Sequence, residues 1–335
     1  MHKEDQLVDK IARAVPSILG YGAPGALRLG IGDDSAILSP GSRNDWVLSC
    51  DAFLEGVHFL AKAHPPDSVG YKSLVRAASD LVAMGASPQY FLMTLALPAF
   101  RIGTWLDAFL AGMARAARYL GMRLIGGDTT KSGSVSISIT VLGEVPRGRA
   151  LTRSGARPGD LIYVTGKLGR AQLGLELVRA KLARRSGLRD VLRQHLYPRI
   201  PVKLGEWLAR SQTATAMMDI SDGLSTDLTR LGTASRVGAR IEAQRVPCVS
   251  IPAGLFRGAR KLKLNPLQMA LHGGDDYGLL ITVPRRRANR LQGAPDFSSL
   301  TCIGEITTSR RILLINDDGS ATPLEAHGWD PFGRK

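Results

Sequence analysis

The chain has 335 residues, more than a single hydrophobic core comfortably supports, so two domains are expected. With 44% hydrophobic and 22% charged residues its composition is globular, which excludes collagen-like and disordered classes. A net charge of +15 invites nucleic-acid binding, yet the basic residues are spread out. They concentrate only at "ARRSGLRDVLR" (183–193) and "PRRRANR" (284–290), without interleaved aromatics, which disfavours that partner.

In chain order, a helix is expected over 4–19, where charges throughout and the lack of a signal-type apolar region argue against export. A strand over 46–50 ends in "SCD", and a helix follows over 67–84. Next come a strand at 89–97, a helix at 104–120, a strand at 122–126 running into "GGD", and a strand at 134–144. "YFLMTLALPAF" (90–100) is the length of a buried strand and too short to cross a bilayer, so no membrane partner is expected. Pro, Gly and Arg cluster over 143–160 and mark a domain boundary. Beyond it lie a strand at 161–166, helices at 169–185 and 202–210, and a short apolar stretch ending in "MMDISDG". A helix over 225–237 and strands near 239–244, 278–283, 300–306 and 311–315 complete the pattern. Strands and helices mixed in both halves indicate α+β or α/β architecture. The three cysteines, Cys50, Cys248 and Cys302, are far apart and show no zinc or redox spacing, which fits a reducing cytoplasm.

One design recurs: an aspartate at a strand end or turn beside glycine or a small hydroxyl residue. It appears in "GIGDD" (Asp33, Asp34), "SCD" (Ser49, Asp51), "GGDTT" (Asp128, Thr129), "DISDG" (Asp219, Ser221, Asp222) and "HGGDDYG" (Asp275, Asp276). Asp80 adds a carboxylate inside the apolar helix "LVRAASDLVAMGA", where a buried charge requires a partner. Any one Asp–Gly pair is ordinary turn chemistry. Together, hard oxygen ligands without a Cys/His cluster suit Mg2+, which completes its shell with water and phosphate oxygens. Several acids therefore point to several ions around a polyphosphate, and to phosphoryl transfer from a nucleotide. The familiar nucleotide loops are absent. "TGKLGRA" (165–171) could offer helix N–H groups to a phosphate, or be a plain strand-to-helix turn.

Taken in order, "GIGDDSAIL", "SCDAFLEGVHF", "SDLVAMGA", "LIGGDTT", "LTRSGARPGD", "DISDGLSTDL" and "HGGDDY" strongly resemble the thiamine-monophosphate kinase family, within the aminoimidazole-ribonucleotide synthetase-like ATP-binding superfamily. The resemblance runs from residue 28 to the closing "GWDPF". It implies an N-terminal ATP- and Mg2+-binding domain over 1–148, whose mixed sheet pairs across a homodimer. A C-terminal α+β domain over 149–335 would complete the nucleotide and substrate site. ATP would be the co-substrate, several Mg2+ ions would lie between carboxylates, and the γ-phosphoryl would pass in line to thiamine monophosphate. The attacking phosphate is already anionic, so no general base is required.

By motif, the resemblance implies that Asp34 holds metal on the ATP phosphates with help from Ser49, and that Asp51 and Asp128 hold a further Mg2+ while Asp80 bridges several. Asp219 and Asp222 would be metal contacts of the second domain. Gly127, Asp128, Arg153 and Ser221 would contact ATP, Arg153 through its planar fork. His58, Asp275 and Trp329 would contact the substrate, Trp329 by stacking on a cationic ring system. Three residues depart from the family pattern. Cys50 replaces a usual threonine, which leaves its backbone carbonyl as the ligand; Asp275 stands where glutamate is commoner; Gly278 stands where an acid is common. Selenophosphate synthetases of the same superfamily carry a reactive cysteine in a Gly-rich N-terminal loop, and this sequence has none there.

Overall fold

The computed structural model describes residues 27–29, 33–39, 41, 43–182, 188–252 and 264–332. The helix expected over 4–19, Gly30 and Gly32 of the first motif, and positions 183–187 of the basic stretch lie outside them.

Long alternating segments build the first sheet from β1 (Leu27–Leu29), β2 (Ala36–Leu38), β3 (Asn44–Leu54), β4 (Ser87–Leu97), β5 (Arg123–Lys131) and β6 (Ser136–Pro146). Their spatial order is β1-β2-β3-β6-β4-β5. Neighbours are antiparallel except β4 and β5, which run parallel. β6 shows why one face is covered: Ile137, Ile139, Val141 and Val145 are buried, while Ser138, Thr140, Leu142 and Glu144 between them are not. Helix α1 (Pro66–Ala83) lies on that buried face, and α2 (Thr104–Leu120) packs on α1.

The second sheet is formed by β7 (Asp160–Thr165), β8 (Ala216–Ile220), β9 (Gly238–Glu242), β10 (Gly278–Pro284), β11 (Leu300–Thr307), β12 (Ile312–Ile315) and β13 (Ala321–Pro323), in the order β13-β12-β9-β11-β7-β10-β8. Only β9 and β12 are parallel among its described pairs. Helices α3 (Arg170–Arg179), α4 (Arg189–Leu196), α5 (Val202–Ser211), α6 (Leu224–Ser235) and α7 (Pro266–His272) belong to this half; α6 packs on β8, β9 and β10, while α4 and α5 touch α1 and α5 also touches β6. Its central strands are apolar on both faces because both are covered. Met217, Leu279, Ile281 and Val283 join the core beneath α1 and the first sheet, whereas Met218, Ile220 and Leu280 face the core of α6 and α7. The two sheets are therefore joined across apolar surface, with α1 between them; α1 also contacts β8.

The structure departs from expectation at specific places. The strand expected at 122–126 continues to Lys131, so "GGD" lies within β5 and not at its end. Gly127 allows this: its φ is +150°, and a Cβ there would come 1.9 Å from the Met93 carbonyl oxygen of β4. The helix expected over 169–185 stops at Arg179, and α4 forms separately, its predominantly polar sequence having hidden its apolar side. β1, β2, β13 and α7 are too short to show a period. Among the described residues no helix is long and apolar enough to cross a membrane.

Candidate active site

Three carboxylates from three distant segments meet where the sheets join. Asp34 comes from the turn before β2, Asp80 from the last turn of α1 and Asp219 from β8, and each offers an oxygen within 4.8 Å of the others. Such a grouping of like charges is unfavourable unless protons or a cation neutralise it. Burial, followed by repulsion from Asp34, pushes Asp219 up to about 7. Burial and the charges of Asp51, Asp219 and Asp34 hold Asp80 well above the usual carboxylate range. Hydroxyls steer two of the three: Ser49 Oγ donates to Asp80, and Ser79 Oγ donates to Asp219. Ser221 Oγ donates to the other Asp219 oxygen at 3.3 Å.

Arg153 closes one side. Its Nη2 donates to Asp34 Oδ1 at 2.7 Å, while its backbone N–H is held by Asp33 at 3.1 and 3.2 Å. Asp33 thus anchors the Arg153 loop, and burial beside Asp34 pushes it up to about 7. Two buried atoms lack a hydrogen-bond partner among the described residues here: the acceptor Asp34 Oδ2 and the donor Arg153 Nε. An orphaned acceptor beside an orphaned donor fits a bound cation together with an anion. Neutralisation of this kind is what Mg2+ with a phosphate chain supplies.

A buried acid organises the "DISDG" loop. Asp227, on α6 and fully buried, accepts the N–H groups of Ser221, Asp222 and Gly223, each at 3.1 Å. Asp222 pairs with Arg230, and its carbonyl accepts the Trp329 N–H at 2.8 Å. That bond fixes the tail beside the loop and leaves the Trp329 ring 38% exposed.

The same face of α1, followed toward its N-terminus, leads to a second group. Lys72, Arg76 and Asp80 recur every four residues, so one polar stripe of α1 runs from the carboxylates to Asp275. Lys72 Nζ donates to Asp275 at 2.7 Å, and the Tyr277 hydroxyl donates to the same carboxylate at 2.6 Å. Burial would raise Asp275, but Lys72, His195 and these two bonds outweigh it and hold the carboxyl below its usual range. Arg76 Nε donates to Asp51 at 2.9 Å. His58 stacks on Phe53 and accepts the Leu54 N–H through Nδ1 at 3.0 Å, which leaves its proton on Nε2. Burial, Arg76 and Lys72 bring His58 down to about 4, so it is neutral at pH 7.

The expected site residues therefore divide. Asp34, Ser49, Asp80, Arg153, Asp219 and Ser221 converge, with Asp51, Asp222, His58, Asp275 and Trp329 around them. Gly127 and Asp128 do not join them: β5 is the edge strand, separated from β3 by β6 and β4, and Asp128 is exposed there opposite Thr94. The Cys50 thiol faces the opposite side of β3 from Ser49 and Asp51, against Ser138 and Thr140, so only its backbone carbonyl remains available. "TGKLGRA" is a strand-to-helix turn closed from within, since buried Asp276 accepts the N–H groups of Gly169 and Ala171. Lys72, Arg76, Ser79, Asp227 and Tyr277 were missed. Lys72, Arg76 and Ser79 carried a signal, a polar stripe at helical spacing in an otherwise apolar helix.

Two family models match: "AIR synthase related protein, N-terminal domain" over residues 32–145 and "AIR synthase related protein, C-terminal domain" over 157–315. The chain is 37% identical over 313 residues to thiamine-monophosphate kinase of Escherichia coli strain K12, covering 91% of this chain and 92% of that one. Among solved structures, "AaThiL complexed with AMPPCP and TMP" superposes with a TM-score of 0.83 at 31% identity, covering 98% of this chain and 97% of the other. Thiamine-monophosphate kinase from Stenotrophomonas maltophilia K279a gives a TM-score of 0.71 at 34% identity, covering 96% and 98%. Sequence and fold agree over nearly the whole length, and the chain belongs to the thiamine-monophosphate kinase family.

Proposed function

We propose that this protein phosphorylates thiamine monophosphate with ATP. An oxygen of the acceptor phosphate attacks the γ-phosphorus in line, the bond to the β,γ-bridging oxygen breaks, and ADP and thiamine diphosphate leave. The observation that carries this reading is the convergence of Asp34, Asp80 and Asp219, with Asp34 Oδ2 unpartnered beside Arg153 Nε. The kinase relatives and the solved neighbour with AMPPCP and TMP support the substrate pair.

Asp34, Asp80 and Asp219 would hold Mg2+, with Ser49 and Ser221 steering two of the carboxylates. When bound, the ion neutralises phosphate charge. Arg153 orients the nucleotide phosphates, and Asp227 holds the backbone of Ser221 and Asp222 in place for the second domain's contacts. Asp222 sits beside that centre, paired with Arg230. The assignment of a further ion to Asp51 and Asp128, and of ATP contact to Gly127, rests on the motif alone. His58, Asp275 and Trp329 would receive the thiamine monophosphate, His58 as a neutral Nε2–H donor and Trp329 through its exposed ring. Domains divided at 148/149 would supply the two halves of the cleft. A homodimer would form through the uncovered face and exposed edge of the first sheet, where Leu92, Leu124 and Ile125 are exposed; light scattering that returns a single-chain mass would sink that part. Three unpaired cysteines support a cytoplasmic setting.

The test is direct: purified protein with ATP, Mg2+ and thiamine monophosphate, followed by chromatography. Stoichiometric thiamine diphosphate and ADP are expected. ATP consumption without the diphosphate would overturn the assignment.

A further inference from the structure

We propose that Arg76 is the residue that grips the phosphate of the acceptor substrate. The inference rests on the phosphoryl-transfer reading above and names a substrate contact within it. Transfer between two anionic phosphates needs positive charge on the acceptor side as well as on the nucleotide side. The described cations near the cleft are mostly committed. Lys72 is bound to Asp275 and only 3% exposed, Arg230 pairs with Asp222, and Arg153, paired with Asp34, belongs to the nucleotide side. Arg76 differs. Its Nε is fixed by Asp51 at 2.9 Å, and that is the hydrogen bond its guanidinium makes among the described residues. The two Nη groups therefore remain for a ligand, on a side chain 23% exposed. A guanidinium anchored at Nε presents a planar pair of N–H donors that matches two phosphate oxygens.

Position supports the assignment. Arg76 lies between Asp51, which acts on Asp80 of the carboxylate centre, and the group of His58, Asp275 and Tyr277. Phe53 lies beneath its guanidinium, 6.0 Å from carbon to ring centroid, and also stacks with His58. A phosphate held there would sit between the nucleotide end and the thiamine end, where the attacking group belongs.

The test measures equilibrium binding of thiamine monophosphate and of unphosphorylated thiamine, without nucleotide or Mg2+, to wild type, Arg76→Gln, Arg76→Lys and the double variant Arg76→Gln/Asp51→Asn. In Arg76→Gln the affinity for the monophosphate should fall about ten-fold or more, as expected for a lost charge-assisted bond, while thiamine affinity stays within about two-fold. Arg76→Lys, which keeps a point charge but not the fork, should lie between and carries the test if the glutamine variant does not fold. The double variant should remain as poor as Arg76→Gln. An unchanged monophosphate-to-thiamine affinity ratio in the single variants overturns the proposal. So does recovery of that ratio in the double variant, since Arg76 would then only neutralise Asp51. If wild type shows no preference for the monophosphate, the functional reading itself fails.

Discussion

At the scale of single residues, the site is built from charges that the fold brings together against their mutual repulsion. Asp80 shows this most sharply, because burial and then the charges of Asp51, Asp219 and Asp34 all raise its pKa. Replacing Asp80 with Asn keeps its size and removes one repelling charge. Metal-free Asp80→Asn should therefore melt at a higher temperature than wild type, while its kcat falls and its Mg2+ requirement rises about ten-fold or more. Wild-type Mg2+ dependence together with an unchanged melting temperature would show that this carboxylate serves neither purpose. Asp227 makes a different case: three backbone N–H groups share its Oδ2 and Arg230 lies 3.5 Å from its Oδ1, while burial and then Asp222 hold its carboxyl well above the usual range. Asp227→Ala should lose about 3 kcal/mol or more, read from the denaturant midpoint, because three backbone donors lose their buried acceptor. These two acids differed in legibility. Asp34, Asp80 and Asp219 stand in motifs whose glycines and hydroxyls advertise an unusual environment. Asp227 reads as an ordinary acid in the first turn of a helix, and only the path of the loop around it reveals three convergent donors.

At the scale of elements, α1 decides the geometry, since Lys72, Arg76, Ser79 and Asp80 all leave the same helix. Its distance from α2 is set by two glycines facing opposite ways across the contact. A Cβ on Gly70 would come 2.0 Å from the Phe109 carbonyl oxygen, and one on Gly112 would come 1.8 Å from that of Asp67. Helix propensity alone predicts that Gly→Ala stabilises by about 1 kcal/mol. The close approach predicts the reverse, a loss of about 1–3 kcal/mol as the helices are forced apart. Thermal melts of Gly70→Ala and Gly112→Ala decide by sign, and a gain in stability would sink the argument. The apolar period of α1 was plain in the sequence, and its expected span of 67–84 is close to the observed Pro66–Ala83. The extent of β5 was not, because two consecutive glycines normally end a strand. Here they permit the strand to continue past Met93 at a distance no side chain would tolerate. Likewise, the helix turn of "TGKLGRA" gave no hint that Asp276, far along the chain, occupies its N–H groups.

At the scale of the whole molecule, the two halves meet in a largely apolar seam that also buries a histidine pair away from the carboxylate centre, and that pair gives the last prediction. His64, just before α1, and His195, on α4, touch through their Nε2 atoms at 2.9 Å with both side chains buried. One imidazole must donate and the other accept, so the bond is lost once both rings are doubly protonated, and burial already opposes the first added proton. Burial, with Lys72 adding to it, brings His64 down to about 4 from 6.5, and His195 is lowered for the same reasons. Asp275 opposes the shift of both, and Arg179 adds to that of His195. Between pH 6.5 and 4 the unfolded chain therefore binds protons that the folded chain refuses. The contribution of the pair is fully present above pH 6.5 and declines as the pH falls toward 4. The carboxylates act with the other sign. Asp33, Asp219 and Asp276, each raised to about 7, take up protons on folding and add stability as the pH drops from 7 toward 4. A melting curve of wild type alone would mix the two, so the pair has to be read as a difference. His64→Gln/His195→Gln should be clearly less stable than wild type at pH 7.5, and the gap should narrow as the pH is lowered to 5. A gap that stays constant across that range would mean the two imidazoles are not held neutral at the seam.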